Sequence, residues 1–225
     1  MVNNPVKCQE LFTYESVLFK NLFSRFTHPW EIIPGLKAFI ESVIREGLDG
    51  YERLFDNVLV GKNVKISDSA RIDGPAIIGS GSEIRHGAFI RGSVILGAGC
   101  VVGNSSEVKN SVMMDGAQAP HFNYVGDSIL GKMAHLGAGA ICSNLRSDGK
   151  TVRIKDGLGD VIETNLRKLG AILGDGVEIG CGAVLCPGTI VGKSSTVYPL
   201  TVTRGVYPKD SIIKATDVII PKFQS

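Results

Sequence analysis

His121 stands in the run Ala119-Pro120-His121-Phe122-Asn123-Tyr124-Val125-Gly126-Asp127, one of four histidines in the chain with His28, His86 and His135. An imidazole ordinarily titrates at about pH 6.5, so a histidine can take the proton of an ammonium group near neutrality. Acyl transfer to an amine needs such a base, because only the neutral amine is a nucleophile. Downstream, Gly137-Ala138-Gly139 forms a glycine-flanked turn. The backbone N–H of Ala138 in such a turn can donate to the oxyanion of a tetrahedral intermediate. Metal chemistry is not indicated. No two histidines have the H-x4-H spacing of a three-histidine zinc site, and the five cysteines (Cys8, Cys100, Cys142, Cys181, Cys186) contain no CxxC pair.

These residues need a scaffold, and the composition divides near residue 56. Before it lie six of the nine phenylalanines and the only tryptophan, but just three glycines. Apolar residues at helical spacing (Val17, Leu18, Leu22 and Phe26, then Leu36, Phe39, Ile40, Val43, Ile44 and Leu48) predict two helices over 13–26 and 34–55. The breaker at His28-Pro29-Trp30 separates them. Their aromatic faces are expected to pack on the end of the following domain or on a neighbouring subunit.

From Val60 a period of six takes over. Aliphatic residues recur at Val60, Ile66, Ile72, Ile78, Ile84, Ile90, Leu96, Val102, Val108 and Met114, with small or β-branched residues four places after most of them. The phase resumes at Leu130 and Leu136 and again at Leu173, Ile179, Leu185, Val191 and Val197. The pattern resembles the hexapeptide repeat, whose coils are triangular prisms with one hexapeptide per side. It predicts an all-β left-handed parallel β-helix over 56–225, behind an N-terminal helical segment over 1–55. Two breaks interrupt it, and breaks in a solenoid are where function collects. One is Pro120-His121-Phe122-Asn123. The other, about 143–171, carries a strand pair around Val152-Ile154 and Val161-Glu163 and is expected to project as a hairpin to a neighbouring subunit.

The stretch H-x-x-Y-x-G-D (His121 to Asp127) followed by G-A-G-x-x-x-x-N (Gly137 to Asn144) makes the resemblance specific. Residues 56–215 resemble the acetyltransferase domain of bifunctional N-acetylglucosamine-1-phosphate uridylyltransferases. They are similar also to the acetyltransferase half of archaeal sugar-1-phosphate nucleotidylyltransferases, to which the insertion ending Leu166-Arg167-Lys168-Leu169-Gly170-Ala171 is closer. The resemblance implies His121 as catalytic base, Asn144 as the amine-contacting asparagine and Ala138 as oxyanion donor. It implies Arg91 and Lys150 as phosphate ligands, Lys109 and Tyr124 as substrate contacts, and His135 where the bacterial family has a sugar-contacting asparagine. Coenzyme A would run past Ala138, Cys181 and Lys214. Cys181, which replaces a serine, reads as a small corner residue rather than a nucleophile, because transfer in this family is direct.

The expected activity is therefore acetyl-CoA-dependent N-acetylation of glucosamine-1-phosphate or galactosamine-1-phosphate by a homotrimer, without a metal. A non-catalytic hexapeptide subunit that binds a sugar nucleotide or a partner protein, or an acyltransferase with another amino-sugar acceptor, stays open. Residues 1–56 hold no glycine-rich nucleotide loop, so a nucleotidyltransferase domain is not expected. Net charge of +2 falls short of a nucleic-acid-binding footprint, and no apolar run is long enough to span a bilayer. The N-terminus lacks the apolar core of a signal peptide, and with unpaired cysteines the expectation is a cytoplasmic protein.

Overall fold

The computed structural model describes residues 6–155, 160–215 and 218–222. From Val58 onward the chain winds through about eight coils of a left-handed parallel β-helix. Val58, Leu59 and Val60 lie beside Ala76, Ile77 and Ile78, and these beside Val94, Ile95 and Leu96. Each coil thus consumes three hexapeptides and contributes one short strand to each of three faces. The first face runs through Val58–Gly61, Ala76–Ile78, Val94–Leu96, Ser111–Met113 and Ile129–Leu130. The second runs through Val101–Asn104, Gln118–His121, His135–Leu136 and Glu178–Ile179, and the third through Phe89–Arg91, Glu107–Lys109, Tyr124–Gly126 and Ile141–Cys142.

The prism interior holds the predicted aliphatics. Ile78, Ile84, Ile90, Leu96, Val102 and Val108 are fully buried in one core, while Val60, Ile66 and Ile72 at its open end are partly covered. Each full burial stabilises the coil by about 1.5–3 kcal/mol relative to exposure. Buried corner hydroxyls are satisfied across coils. Ser82 Oγ donates to the Gly97 carbonyl at 2.9 Å and accepts the Cys100 N–H at 3.0 Å.

The phase break falls elsewhere than expected. Ala119 and Val125 are six residues apart and both interior, so Pro120-His121-Phe122-Asn123 stays in phase. The shift comes in two single-residue steps, at Lys109-Asn110-Ser111 and at Gly126-Asp127-Ser128. There the interior positions Val108 and Met113, then Val125 and Leu130, are only five apart. Met113, not Met114, faces the interior. Asn110 and Asp127 turn these tightened corners with φ of 46° and 49°, a left-handed conformation that asparagine and aspartate tolerate better than most residues.

The N-terminal segment forms α1 (Cys8–Leu11), α2 (Val17–Phe23), a 3-10 stretch (Pro29–Gly35) and α3 (Leu36–Glu46). Ser16 caps α2 by accepting the Phe19 N–H at 3.2 Å. The second helix is shorter than its pattern suggests. It stops at Gly47, whose φ is 82°, and Tyr51–Phe55 becomes a strand antiparallel to Val58–Gly61. The segment covers the flank of the β-helix rather than its end. Phe19, Leu22, Trp30, Leu36 and Ile40 share a second core with the outward side chains Ile77, Ile95, Val112, Met114 and Ile129 of the first face. The Leu11 carbonyl accepts the Asp175 N–H at 3.0 Å, and Lys132 pairs with Glu15 at 2.6 Å.

The insertion leaves the third face after Cys142 and returns to the first face at Ile172. Its strands Arg153–Lys155 and Val161–Glu163 pair antiparallel, as the sequence predicts. The hairpin folds back on its own chain instead of only projecting. Val152 and Ile154 are buried in the core that the helical segment shares, and a bridge between Leu145 and Lys168 closes its base.

Candidate active site

The third face gathers the charged and polar residues. In each strand the middle residue points inward, so Arg91, Glu107, Lys109 and Tyr124 point outward on three successive coils. Arg91 pairs with Glu107 at 2.9 Å. Lys109 reaches Asp127 at 3.2 Å, and Asn110 Nδ2 donates to the other Asp127 oxygen at 2.7 Å. Asn144 Nδ2 donates both to Asp127 and to the Tyr124 hydroxyl. Arg91, Lys109, Tyr124 and Asn144, predicted from distant parts of the sequence, thus meet on one face. Asp127, 3% exposed, is the hub that ties Lys109 and Asn144 together and holds Asn110 as well.

Tyr124 is held flat along the strand. A Cβ at Gly126 would fall 2.5 Å from its phenol oxygen, so only glycine leaves room for the ring. Burial, then the Glu107 and Asp127 carboxylates, raise the Tyr124 phenol above its ordinary range. The phenol therefore stays protonated at neutral pH and keeps an O–H to donate.

His121 ends its strand on the second face, three residues before Tyr124, at the corner between the second and third faces. Its backbone is clamped at both ends. Its N–H donates to Asn123 Oδ1 at 3.0 Å, and its carbonyl accepts the Gly139 N–H at 3.0 Å. Asn123 is itself buried, with its amide nitrogen donating to the Gly137 and Ala140 carbonyls at 2.8 and 3.2 Å. The His121 side chain is exposed and makes no hydrogen bond among the described residues. A proton-accepting nitrogen on a fixed backbone is the result.

The same corner continues upward coil by coil. The Ala138 carbonyl accepts the Gly182 N–H at 2.8 Å, and the Cys181 carbonyl accepts the Leu200 N–H at 2.9 Å. His121, Ala138 and Cys181 therefore stack in one column of exposed corner residues, the last two of them small. The Ala138 N–H has no hydrogen-bond partner among the described residues. Lys214 lies two coils beyond Cys181, with its ammonium 5.3 Å from the centre of the Tyr198 ring.

Two predicted residues lie apart. His135 is on the second face, with Nδ1 2.9 Å from Glu178 Oε2 on the next coil. Lys150 belongs to the insertion, in a groove with Arg146, Arg153 and Arg167, and shares no hydrogen bond or ion pair with Arg91 or Lys109. Glu107 and Asn123 complete the site without having been singled out, and Asp127, the last residue of the H-x-x-Y-x-G-D motif, enters it without a role having been assigned. For Asp127 and Asn123 the available signal was a polar residue beside the histidine inside an otherwise apolar repeat, since a buried polar group must be hydrogen-bonded.

Comparison with known proteins follows this geometry. A family model described as the GMPPB C-terminal domain matches residues 72–162. The chain is 32% identical over 210 residues to the bifunctional protein GlmU of Methanococcus maripaludis, covering 92% of this chain and 51% of that one. The chain is similar to the GlmU-type bifunctional proteins over part of their length. A bifunctional sugar-1-phosphate nucleotidylyltransferase/acetyltransferase of Sulfurisphaera tokodaii is 38% identical over 87 residues, 39% of this chain and 21% of that one. The chain spans about half the length of the first of these relatives and about a fifth of the second. Among solved structures, an AntD N-acyltransferase mutant from Bacillus cereus is 17% identical, with a TM-score of 0.43 over 78% of this chain and 90% of that one. The acetyltransferase domain of PglB from Neisseria gonorrhoeae is 18% identical, with a TM-score of 0.35 over 82% of this chain and 63% of that one. Among the described residues no helix is long and apolar enough to cross a membrane.

Proposed function

We propose that this chain is an acetyl-CoA-dependent N-acetyltransferase acting on an amino-sugar 1-phosphate, glucosamine-1-phosphate or galactosamine-1-phosphate. The observation that carries this reading is the pairing of a backbone-clamped, exposed His121 with the adjoining face of Arg91, Lys109, Tyr124 and Asn144. The acetyltransferase half of the Sulfurisphaera tokodaii bifunctional sugar-1-phosphate nucleotidylyltransferase/acetyltransferase supports it. The reading covers the acetyl transfer alone.

In this reading Arg91 and Lys109 hold the sugar phosphate, and Asn144 and Tyr124 orient the sugar so that its amine faces His121. His121 takes the ammonium proton. The amine nitrogen then forms its bond to the acetyl carbon, and the carbon–sulfur bond of acetyl-CoA breaks. The departing thiolate leaves with a proton. The free N–H of Ala138 faces the carbonyl oxygen as negative charge develops on it. Ala138, Cys181 and Lys214 line the corner along which acetyl-CoA would lie, and the small side chains there leave its path open. Thiol release from acetyl-CoA over a panel of free amino sugars, amino-sugar 1-phosphates and sugar nucleotides tests the function. No release with any acceptor would leave only a binding role.

Phosphate recognition has its own signature. Arg91→Ala or Lys109→Ala is expected to raise KM for the sugar 1-phosphate about ten- to a hundredfold, through loss of a charged hydrogen bond to the phosphate. Wild-type protein that acetylates free amino sugar as well as its 1-phosphate would overturn this assignment.

The assembly belongs to the same proposal. Phe122 and Leu200 project from the His121–Cys181 corner with 58% and 83% of their surface exposed, and a single prism gives the site only an open wall. Three copies packed side by side would cover these side chains and close the site. Sedimentation is expected to give a trimer at assay concentration, and an active monomer would rule out a shared site.

A further inference from the structure

Beside the column of His121, Ala138 and Cys181 runs a second one, made of the residues that turn the same corner. Gly87, Ser105, Phe122, Gly139, Gly182 and Leu200 occupy it on successive coils, all with left-handed φ between 52° and 72°. The backbone repeats without a break. Ser105 donates its N–H to the His86 carbonyl, Phe122 to Asn104, Gly139 to His121, Gly182 to Ala138 and Leu200 to Cys181. A left-handed conformation suits glycine and tolerates asparagine or serine, but it disfavours a bulky side chain. Among the described residues, every non-glycine position with such a φ is asparagine, aspartate or serine, except Phe122, Met133 and Leu200. Phe122 gains no burial in exchange, since 58% of it is exposed. A bulky ring in a disfavoured conformation, left uncovered beside a proposed base, points to a ligand that completes its packing.

The backbone on either side fixes Phe122 in place. Its own N–H bond to the Asn104 carbonyl is 2.8 Å long, and His121 before it is bonded to Asn123 Oδ1. Asn123 after it is buried and donates its N–H to Ser106 Oγ at 3.0 Å. Above the ring the column is bare for two coils, because Gly139 and Gly182 present no side chain. Leu200 folds down over the upper end, with its Cδ2 2.7 Å from where a Cβ on Gly182 would stand. A smooth track thus lies beside Ala138 and Cys181, with a leucine above it and an aromatic ring below.

We infer that Phe122 is a stop for the acyl group of the donor, and that its ring restricts transfer to acetyl against longer chains. The inference rests on the proposed acetyl-CoA reading and names the residue that sets its donor specificity. In that reading the coenzyme descends the corner past Cys181 and Ala138, and its thioester carbonyl faces the Ala138 N–H. The acyl substituent leaves the carbonyl carbon on the side away from sulfur. That direction continues down the corner to the coil of His121, where the next side chain is the Phe122 ring. A methyl group ends above the ring, whereas each further methylene has to displace it. The carbon–nitrogen bond formed and the carbon–sulfur bond broken are the same for every chain length, so the fit against Phe122 alone separates the donors.

The test compares acetyl-CoA with butyryl-CoA as donors for the full chain. Wild-type protein is expected to favour acetyl in kcat/KM by about tenfold or more, since an apolar pocket discriminates roughly 10–200-fold per methylene. Phe122→Gly suits the left-handed backbone and lengthens the bare track by one coil, about 4.8 Å. It is expected to lower the acetyl-to-butyryl ratio at least tenfold, with Phe122→Leu between glycine and wild type. If the glycine variant loses turnover, calorimetric Kd values for the two acyl-CoAs without acceptor supply the same ratio. A ratio that matches wild type in both variants, by turnover and by binding, overturns the stop. Wild-type protein that releases no thiol with either donor and any amino sugar sinks the transferase reading. A binding ratio that depends on Phe122 in such a protein would still uphold the stop. Transfer with a ratio indifferent to Phe122 would do the reverse.

Discussion

Replacing His121 by alanine is expected to lower kcat at least a hundredfold while leaving the fold and the KM for acetyl-CoA near wild type. The side chain is exposed and makes no hydrogen bond among the described residues, so its loss removes no packing. The backbone bonds from His121 to Asn123 and from Gly139 to His121 do not depend on the imidazole and survive the change. What disappears is the base, and general-base catalysis of this kind contributes roughly 10²–10⁴-fold. Wild-type turnover in His121→Ala, with unchanged circular dichroism, would remove the residue from the mechanism. Asn123→Ala supplies the complementary case. It frees the His121 N–H and takes the side-chain donor from the Gly137 and Ala140 carbonyls, so kcat falls although the imidazole is still present.

The second large effect is expected at Asp127, and it is one of affinity and stability together. Its carboxylate accepts from Asn110 on one oxygen and from Lys109 and Asn144 on the other, at a corner where the side chain is 5% exposed. Alanine would leave three donors without an acceptor, costing about 3 kcal/mol, at the lower end for a broken buried charge pair because Lys109 keeps some contact with water. Asparagine is the sharper probe, since it keeps the shape but offers an oxygen on only one side and aims N–H groups at a donor on the other. Asp127→Asn is expected to raise KM for the sugar phosphate tenfold or more by releasing Lys109 or Asn144 from position, with the KM for acetyl-CoA little changed. Thermal unfolding and steady-state kinetics on both variants check the two halves. An Asp127→Asn protein with wild-type KM would show that the hub does not organise the acceptor face.

Much of this was legible in the order of residues. A period of six needs no tertiary information, because one hexapeptide spans one side of the prism and its aliphatic can point only inward. Ile78, Ile84, Ile90, Leu96, Val102 and Val108 could therefore be placed in the core from the sequence. His121, too, stands out as a titratable residue inside a repeat that otherwise favours small and aliphatic side chains.

Where the period shifts was not legible, and the reason is physical. The first face is buried on both sides, by the prism within and by α2, the 3-10 stretch and α3 outside, so Val112, Met113 and Met114 are all apolar and no alternation marks which one points inward. Only the pairing of Met113 with Leu96 decides it. The helices themselves announced an apolar face but not its partner, because hydrophobic burial is non-directional and the sequence carries no record of which surface satisfies it. The same holds for Val152 and Ile154, whose strand pattern was readable but whose packing against their own chain was not. Asp127 gained its role through neighbours 17 and 18 positions away, one coil below and one above. The sequence by itself determined the coil, its interior and the histidine. Tertiary stacking decided which charges share a face, placing Lys109 beside Asp127 and Lys150 among the arginines of the insertion, because in a solenoid the neighbours of a side chain are set by register between coils and not by distance along the chain.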